Sequence, residues 1–491
     1  ALFEKYPGYE FNFEGAFRYM LMREYYPSDY ERVRGYVRDG KWHVCGSWVD
    51  AVDVNIPAPE SLIRHALYGN GFFRRELGVT SRDVFLPDCF GFGFALPAIA
   101  AHCGLLGFSS QKLTWGSAYG VPFDIGLWEG VDGSTLVAAL QPGDYVSRIE
   151  GDLSADSTLV ARIDRQGAAS GLFRAVRYFG TGDTGGAPAE SSVIWLQRSL
   201  DAQGPVTVRS SAADRFAREI ADLPAGARER LPRYRGELLM TDHGAGCYTS
   251  QAEMKRLNRA NERLADAAER AAVAAAHLKG APYPREPLRE NWIRFLWHQF
   301  HDDLTGTSIP EAYAFSWNDE AIAANVFAQV LTESVGALAR GLLEARAEGV
   351  PLIVYNPLST VRADVVEAEV PFPAGPPRAV RVYAQYTGLE VPAQVVAATD
   401  TSATVVFLAV APAVGVAVFD VRPAETPGPR GGELRVCAGA QGATLENARY
   451  RVAVDAAGDI ASIVDKRAGR ELLGAPLRLQ LLDDEPQEWP A

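Results

Sequence analysis

Hydrophobic and polar positions change their period twice along the 491-residue chain. Up to about residue 245, short apolar runs alternate with amphipathic stretches. Val84-Phe85-Leu86, Leu136-Val137-Ala138-Ala139-Leu140 and Val176-Arg177-Tyr178-Phe179 read as buried strands that end in Gly- or Pro-bearing loops, with a helix over 95–103 after the first. Strands alternating with helices predict an α/β domain with a mainly parallel sheet, whose chemistry sits in the loops past the strand C-termini. From 250 the period lengthens. Ser250 and Glu253 form a Ser-x-x-Glu capping pattern, and Met254, Leu257, Leu264, Ala268, Ala271 and Leu278 recur at helical steps until Gly280. A second helix carries Trp292, Ile293, Phe295, Leu296, Trp297 and Phe300 as far as Thr305-Gly306, and a third runs from about 317 to 347, so the middle region reads as a small helical bundle. Beyond Gly349, the runs at 352–355, 403–410, 414–421 and 450–454, separated by Pro/Gly-rich spacers, predict β-sandwich material jointed over 431–444.

Composition narrows the function. Acidic residues (61) outnumber basic ones (48), for a net charge of −13, the wrong balance for a nucleic-acid or anionic-membrane binder. No apolar run approaches the roughly 20 residues that cross a bilayer, so neither nucleic acid nor membrane is an expected partner, while a homo-oligomer is compatible with the sequence. The five cysteines (45, 89, 103, 247, 437) are scattered, with no CxxC spacing, which argues for a reducing, cytoplasmic setting. No methionine precedes Met20, and the chain stops at Glu488-Trp489-Pro490-Ala491; both ends are expected to be cut from a longer protein.

Three segments carry candidate chemistry. Leu86-Pro87-Asp88-Cys89-Phe90-Gly91 places a carboxylate just past a buried strand, where a nucleophile or metal ligand would stand; a plain turn carboxylate leading into the next helix is the competing reading. Gly180-Thr181-Gly182-Asp183-Thr184-Gly185-Gly186 repeats the arrangement with glycines that admit a bulky ligand, whereas Asp183 would repel a phosphate. Trp297-His298-Gln299-Phe300-His301-Asp302-Asp303 offers two histidines at i, i+3 for a metal, or for the negative end of a helix; spacing does not choose between His298 and His301. Two carboxylates from separate loops suit glycoside hydrolysis. Trp48, Phe90, Trp115, Trp128 and Tyr145 could stack on sugar faces, although core packing is the commoner fate of a single Trp.

Together with Gly46-Ser47-Trp48-Val49-Asp50, Leu127-Trp128-Glu129-Gly130-Val131-Asp132-Gly133-Ser134, Tyr248-Thr249-Ser250-Gln251-Ala252 and Gln299-Phe300-His301-Asp302-Asp303-Leu304-Thr305-Gly306, these segments resemble glycoside hydrolase family 38, the retaining zinc-dependent α-mannosidases. The resemblance implies a seven-stranded β/α barrel lacking its first strand over 1–246, a three-helix domain over 247–347, a β-sandwich module over 350–430 and the start of another over 431–491. It implies that Asp88 is both nucleophile and zinc ligand, that His301 rather than His298 is the second ligand, and that Asp183 is the acid/base. Phe90 and Asp302 match sugar-contacting positions, with Trp48, Lys112 and Tyr145 as further substrate contacts. The implied cofactor is one Zn²⁺, replaceable by another divalent metal. The implied substrate is a terminal α-mannoside of an oligosaccharide or glycan, in mannose catabolism.

The chain departs from the family at one point. The family's site also takes a His-x-Asp pair from the first barrel strand, and here the only His-x-Asp is His301-Asp302-Asp303 itself. The pair is expected upstream of Ala1, which leaves Asp88 and His301 as the ligands supplied by this chain. A carbohydrate-binding paralogue without full turnover is the alternative that this gap raises. A metal-dependent deacetylase is a third reading, since His and Asp ligands serve several reactions in α/β barrels.

Overall fold

The computed structural model describes residues 1–340, 347–428 and 434–483. It divides into two compact units: Ala1–Ala265 with Pro284–Gln329, and Asp266–Tyr283 with the described residues from Val330 onward.

The first unit is α/β. β1 (Phe11–Glu14) and β2 (Trp42–Cys45) form a parallel pair. β3 (Asp83–Phe85), β4 (Gly107–Ser109), β5 (Ile125–Glu129), β6 (Thr135–Ala139) and β7 (Arg233–Arg235) form a second sheet in the order β3-β4-β6-β5-β7. These seven strands thus lie in two sheets, and the larger is not uniformly parallel: β5 runs antiparallel to β6. The cause is local. β5 and β6 are joined by a short turn in which the Asp132 carboxylate accepts from Ser134 N and Gly133 adopts φ +85°, a connection too short for the crossover that a parallel pair requires. Trp48, Val84, Leu86, Phe92, Phe108, Trp128, Leu136 and Leu140 fill the main core; burying each such side chain contributes on the order of 1.5–3 kcal/mol.

Three local expectations give way. Residues 176–179 form no strand, because their backbone is taken by other partners: Tyr178 N donates to Pro142 O, Ser147 Oγ donates to Tyr178 O, and Arg162 donates to Val176 O. The capping box at Ser250 does not form. Ser250 Oγ turns to the Cys247 and Thr305 carbonyls, Glu253 pairs with Arg256, and the helix starts at Ala252 (Ala252–Lys279). The next helix, Arg285–Trp297, stops before the histidines, so His298 and His301 do not share one helix face.

The third helix, Pro310–Arg340, buries Tyr313, Ser316, Glu320, Ala323, Phe327, Val330, Ser334 and Leu338 at steps of three and four. By length and composition alone this helix could cross a membrane, which the run-length reading missed. Its buried stripe carries Glu320 and two serines, and Phe327 packs on Trp292 and Phe295. The expected end of this helix near 347 falls largely outside the described residues, as does the start of the joint at 431.

The second unit is antiparallel β. β8 (Val350–Asn356), β9 (Arg362–Pro371), β10 (Ala379–Ala384), β11 (Leu389–Val391), β12 (Ala393–Ala398), β13 (Ser402–Ala411) and β14 (Gly415–Ala424) form the sheets β11-β10-β14-β8 and β12-β13-β9. Val370, Val382, Val405, Phe407, Phe419 and Val421, drawn from both sheets, share one core. β15 (Arg435–Gly439), β16 (Gly442–Glu446), β17 (Tyr450–Asp455), β18 (Ile460–Asp465) and β19 (Arg470–Glu471) form a third sheet in sequence order.

Candidate active site

Asp88 stands three residues past the end of β3, in a loop anchored on both sides. Cys89 Sγ donates to Val52 O at 3.3 Å, and Phe92 exchanges backbone hydrogen bonds with Leu238 at 2.8 and 2.9 Å. Asp88 Oδ1 accepts from Lys112 Nζ. Lys112 opens the short 3-10 helix Lys112–Trp115 and is 2% exposed. A buried ammonium is costly unless paired; this one meets the Asp88 carboxylate and lies 4.3 Å from the Trp115 ring centroid and 5.1 Å from that of Phe90.

The other Asp88 oxygen, Oδ2, is 3.5 Å from His301 Nε2, which is 3.6 Å from Asp302 Oδ2. The His301 ring is oriented from behind, with Nδ1 3.1 Å from Ala51 O. A carbonyl only accepts, so Nδ1 carries the proton, and in the neutral ring the Nε2 lone pair faces the two carboxylates. Metal-ligating histidines use this back-hydrogen-bond. Asp302 is held in turn by Thr307 Oγ1, which donates to its Oδ1 at 2.5 Å.

Burial by itself would raise the Asp88 carboxyl, but the His301 hydrogen bond and the Lys112 charge more than offset it and hold the group at about 2. Burial lowers His301, while Asp88 and Asp302 raise it further, so the net shift is upward. His298 plays a different part: its Nδ1 is 2.6 Å from Asp303 Oδ2 and its Nε2 3.2 Å from Asp319 Oδ2. Both of its nitrogens are therefore engaged away from Asp88.

Asp183 lies in the exposed glycine loop at φ +61°, and its Oδ1 accepts from the Tyr145 hydroxyl at 2.8 Å. A Cβ on Gly182 would fall 2.0 Å from Tyr145 Cε2, so the ring reaches this loop only because residue 182 has no side chain. Burial, Asp88 and Asp183 all push the Tyr145 hydroxyl upward, so it stays protonated as a donor with both carboxylates close by.

The aromatic candidates separate. Trp48 is 1% exposed and packs edge-on to His65 in the core. Trp128 is fully buried, with Nε1 donating to Gly236 O. Neither presents a face to a ligand, which corrects the reading of Trp48 as a substrate contact. Phe90 lies 6.3 Å from the His301 ring, while Trp115, 42% exposed, lies edge-on to His243 at 5.0 Å.

Sequence reading missed His243, which also lies 5.8 Å from Phe90, and a supporting layer behind the site. Asp50 accepts from Trp297 Nε1 at 3.0 Å and from Arg18 at 3.1 Å. The Tyr248 hydroxyl donates to the buried Asp53 at 2.8 Å and lies 3.2 Å from Phe90 O, which ties the Asp53 loop to the Asp88 loop. Of these, Asp50, Trp297 and Tyr248 carried a signal in the sequence, through the motifs that contain them, whereas His243, Arg18 and Asp53 carried none.

Asp88, His301 and Asp302 form a group that could hold a metal ion, with one ligand atom from each lying within 4.8 Å of the others. Two carboxylate oxygens and one imidazole nitrogen with a back-hydrogen-bond suit a divalent cation such as zinc. Asp302, read from the sequence as a sugar contact, thus joins the donors.

A carboxylate–histidine donor group past a strand end, with a further carboxylate on a glycine loop, is the kind of site found in hydrolases of several classes, and comparison with known proteins narrows it. Residues 1–237 match the glycosyl hydrolases family 38 N-terminal domain and residues 244–338 the alpha mannosidase middle domain. The chain belongs to glycoside hydrolase family 38. It is 30% identical over its whole length to alpha-mannosidase 2C1 of Homo sapiens, covering 44% of that protein. It is also 33% identical over 312 residues, 63% of this chain, to alpha-mannosidase G of Dictyostelium discoideum, covering 27% of it. The chain thus spans less than half the length of these relatives. A crystal structure of an alpha-mannosidase from Enterococcus faecalis V583 superposes on 96% of this chain and 57% of its own, with a TM-score of 0.72 at 20% identity. That likeness concerns the fold.

Proposed function

We propose that this chain carries the catalytic centre of a retaining α-mannosidase that hydrolyses terminal α-mannosides of oligosaccharides or glycans. The observation that carries the proposal is the convergence of Asp88, His301 and Asp302 to within 4.8 Å, with Asp183 hydrogen-bonded to a Tyr145 hydroxyl that also feels the Asp88 charge.

Asp88 is the nucleophile. Held at about 2, its carboxyl is ionised throughout the neutral range, and the short Lys112 contact to Oδ1 fixes the carboxylate plane while Oδ2 remains on the donor side. Attack on the anomeric carbon forms a glycosyl ester on Asp88 as Asp183 protonates the leaving oxygen. Ionised Asp183 then takes a proton from water, which releases the sugar with retention. A retaining pair stands about 5–5.5 Å apart, and proximity of both carboxylates to one Tyr145 hydroxyl is consistent with such a spacing. Tyr145 steers Asp183 and, as a hydrogen-bond donor, also favours the charge on Asp88. Phe90 and the rim pair Trp115 and His243 supply apolar faces for a pyranose. A divalent cation held by Asp88, His301 and Asp302 would supply Lewis-acid polarisation and would fix the cis O2 and O3 hydroxyls of mannose.

The test is hydrolysis of an aryl α-mannoside followed by proton NMR. The expected first product is α-mannose, with activity lost on chelation and restored by zinc. Release of β-mannose first, or turnover indifferent to chelation, contradicts the proposal. Binding of mannosides without turnover would favour the carbohydrate-binding alternative.

A further inference from the structure

Lys255 is not one of the donors, yet it sits where the two halves of the site are joined. It lies in the first turn of the helix Ala252–Lys279, and its Nζ donates to three backbone carbonyls: Cys247 O at 3.2 Å, Thr305 O at 2.7 Å and Ser250 O at 2.5 Å. An ammonium has three N–H donors, and here all three are used on main chain. Ser250 Oγ reinforces the same junction, lying 2.9 Å from Cys247 O and 3.2 Å from Thr305 O. The contact is close enough that a Cβ on Gly306 would fall 2.1 Å from Ser250 Oγ, and Gly306 adopts φ +109°.

The joined segments are those that build the site. One is the 3-10 turn Ala245–Thr249, which presents Tyr248 to Asp53 and to the Phe90 carbonyl, next to Asp88. The other is the turn after Trp297, which presents His301 and Asp302. Carbonyl oxygens from both segments converge at one partly buried point. Without a cation there they would repel one another and lack hydrogen-bond donors, and the turns would separate.

We propose that Lys255 is a positioning residue whose ammonium pins the 301–306 turn to the Tyr248 turn, so that His301 Nε2 and Asp302 Oδ2 stay directed at Asp88. The proposal rests on the reading of those three residues as metal donors, and its test separates the two ideas.

Lys255→Met keeps the aliphatic stem and removes the donors; Lys255→Arg keeps donors and charge. Zinc affinity is measured by competition with a chromogenic chelator, and amide hydrogen exchange on the metal-free protein. Lys255→Met should weaken zinc binding by about tenfold or more, the usual scale for groups that orient metal ligands. It should also speed exchange at 301–306 and 247–251 while leaving β3 to β6 unchanged. Lys255→Arg should recover most of the affinity. Should Lys255→Met not fold, Ser250→Ala makes the same comparison at smaller amplitude. Wild-type zinc affinity together with wild-type exchange in the folded variant overturns the pin. A wild-type chain that binds no zinc contradicts the reading of the donors, and the exchange comparison then decides on Lys255 by itself.

Discussion

At the scale of single residues, the site depends on groups whose neighbours set their state. His301 is a candidate ligand because Ala51 O takes its Nδ1 proton, whereas His298 is not, because two aspartates engage it. Spacing in the sequence could not make this distinction, since both histidines follow the same helix at i, i+3 and the difference lies in groups 5 to 250 positions away. Family resemblance chose between them; periodicity did not. Asp88 and Asp183 were legible as carboxylates in strand-end loops, but Tyr145 as the group between them depends on Gly182 being bare. Removing that hydroxyl in Tyr145→Phe should lower kcat on an alkyl α-mannoside by about 10- to 100-fold, the worth of a hydrogen bond to a charged group, with KM little changed. An unchanged kcat would remove Tyr145 from the chemistry.

At the scale of elements, the apolar pattern located six of the nineteen described strands and the three helices between 252 and 340, but missed Pro59–Leu77, and the ends and directions of the elements depended on polar groups. The second helix stops at Trp297 because His298 and Asp303 close a turn beyond it, and β5 reverses at the Asp132-Gly133 turn. Periodicity reports which face is buried, not which strand lies alongside. The His298 tie between that turn and the helix Pro310–Arg340 makes stability depend on pH. Burial lowers His298, but the Asp303 and Asp319 bonds raise it to about 9, against an ordinary 6.5. A group raised on folding binds its proton more tightly in the native state. Its stabilisation is therefore complete below about pH 6.5 and is lost as pH rises through about 9. The His298 contribution to urea unfolding of the first unit should fall by up to about 3 kcal/mol across that window, and His298→Gln should be less stable at pH 6.5 and lose less from there to 9 than the wild type, the remaining slope coming from the buried Glu14 and Glu320 carboxyls, raised to about 7 and about 8. A wild-type loss no steeper than the variant's would show that the imidazolium contributes nothing.

For the whole molecule, the change of period near 250 and again near 349 marked where strand–helix alternation yields to helices and then to antiparallel β structure. The division into compact units falls elsewhere: two of its three breaks among the described residues, after Ala265 and after Gln329, lie inside helices. Local patterning records element type, whereas a unit boundary is set by the density of long-range packing, which no window of sequence contains. All candidate site residues belong to the first unit, so metal binding should stabilise that unit selectively. At free zinc of about 100 times Kd, its unfolding transition should gain about 2.7 kcal/mol, and His301→Ala should abolish the gain. Equal stabilisation of both units, or of the variant, would place the metal elsewhere.

The assignment of Asp88 as the nucleophile is tested most directly by trapping the glycosyl-enzyme. Incubation with a fluorinated mannosyl fluoride that slows the second step, followed by proteolysis and mass spectrometry, should show one fluoromannosyl adduct on the peptide containing Asp88 and none in Asp88→Ala. An adduct on another carboxylate, or steady turnover of α-mannosides with Asp88 never labelled, would contradict it.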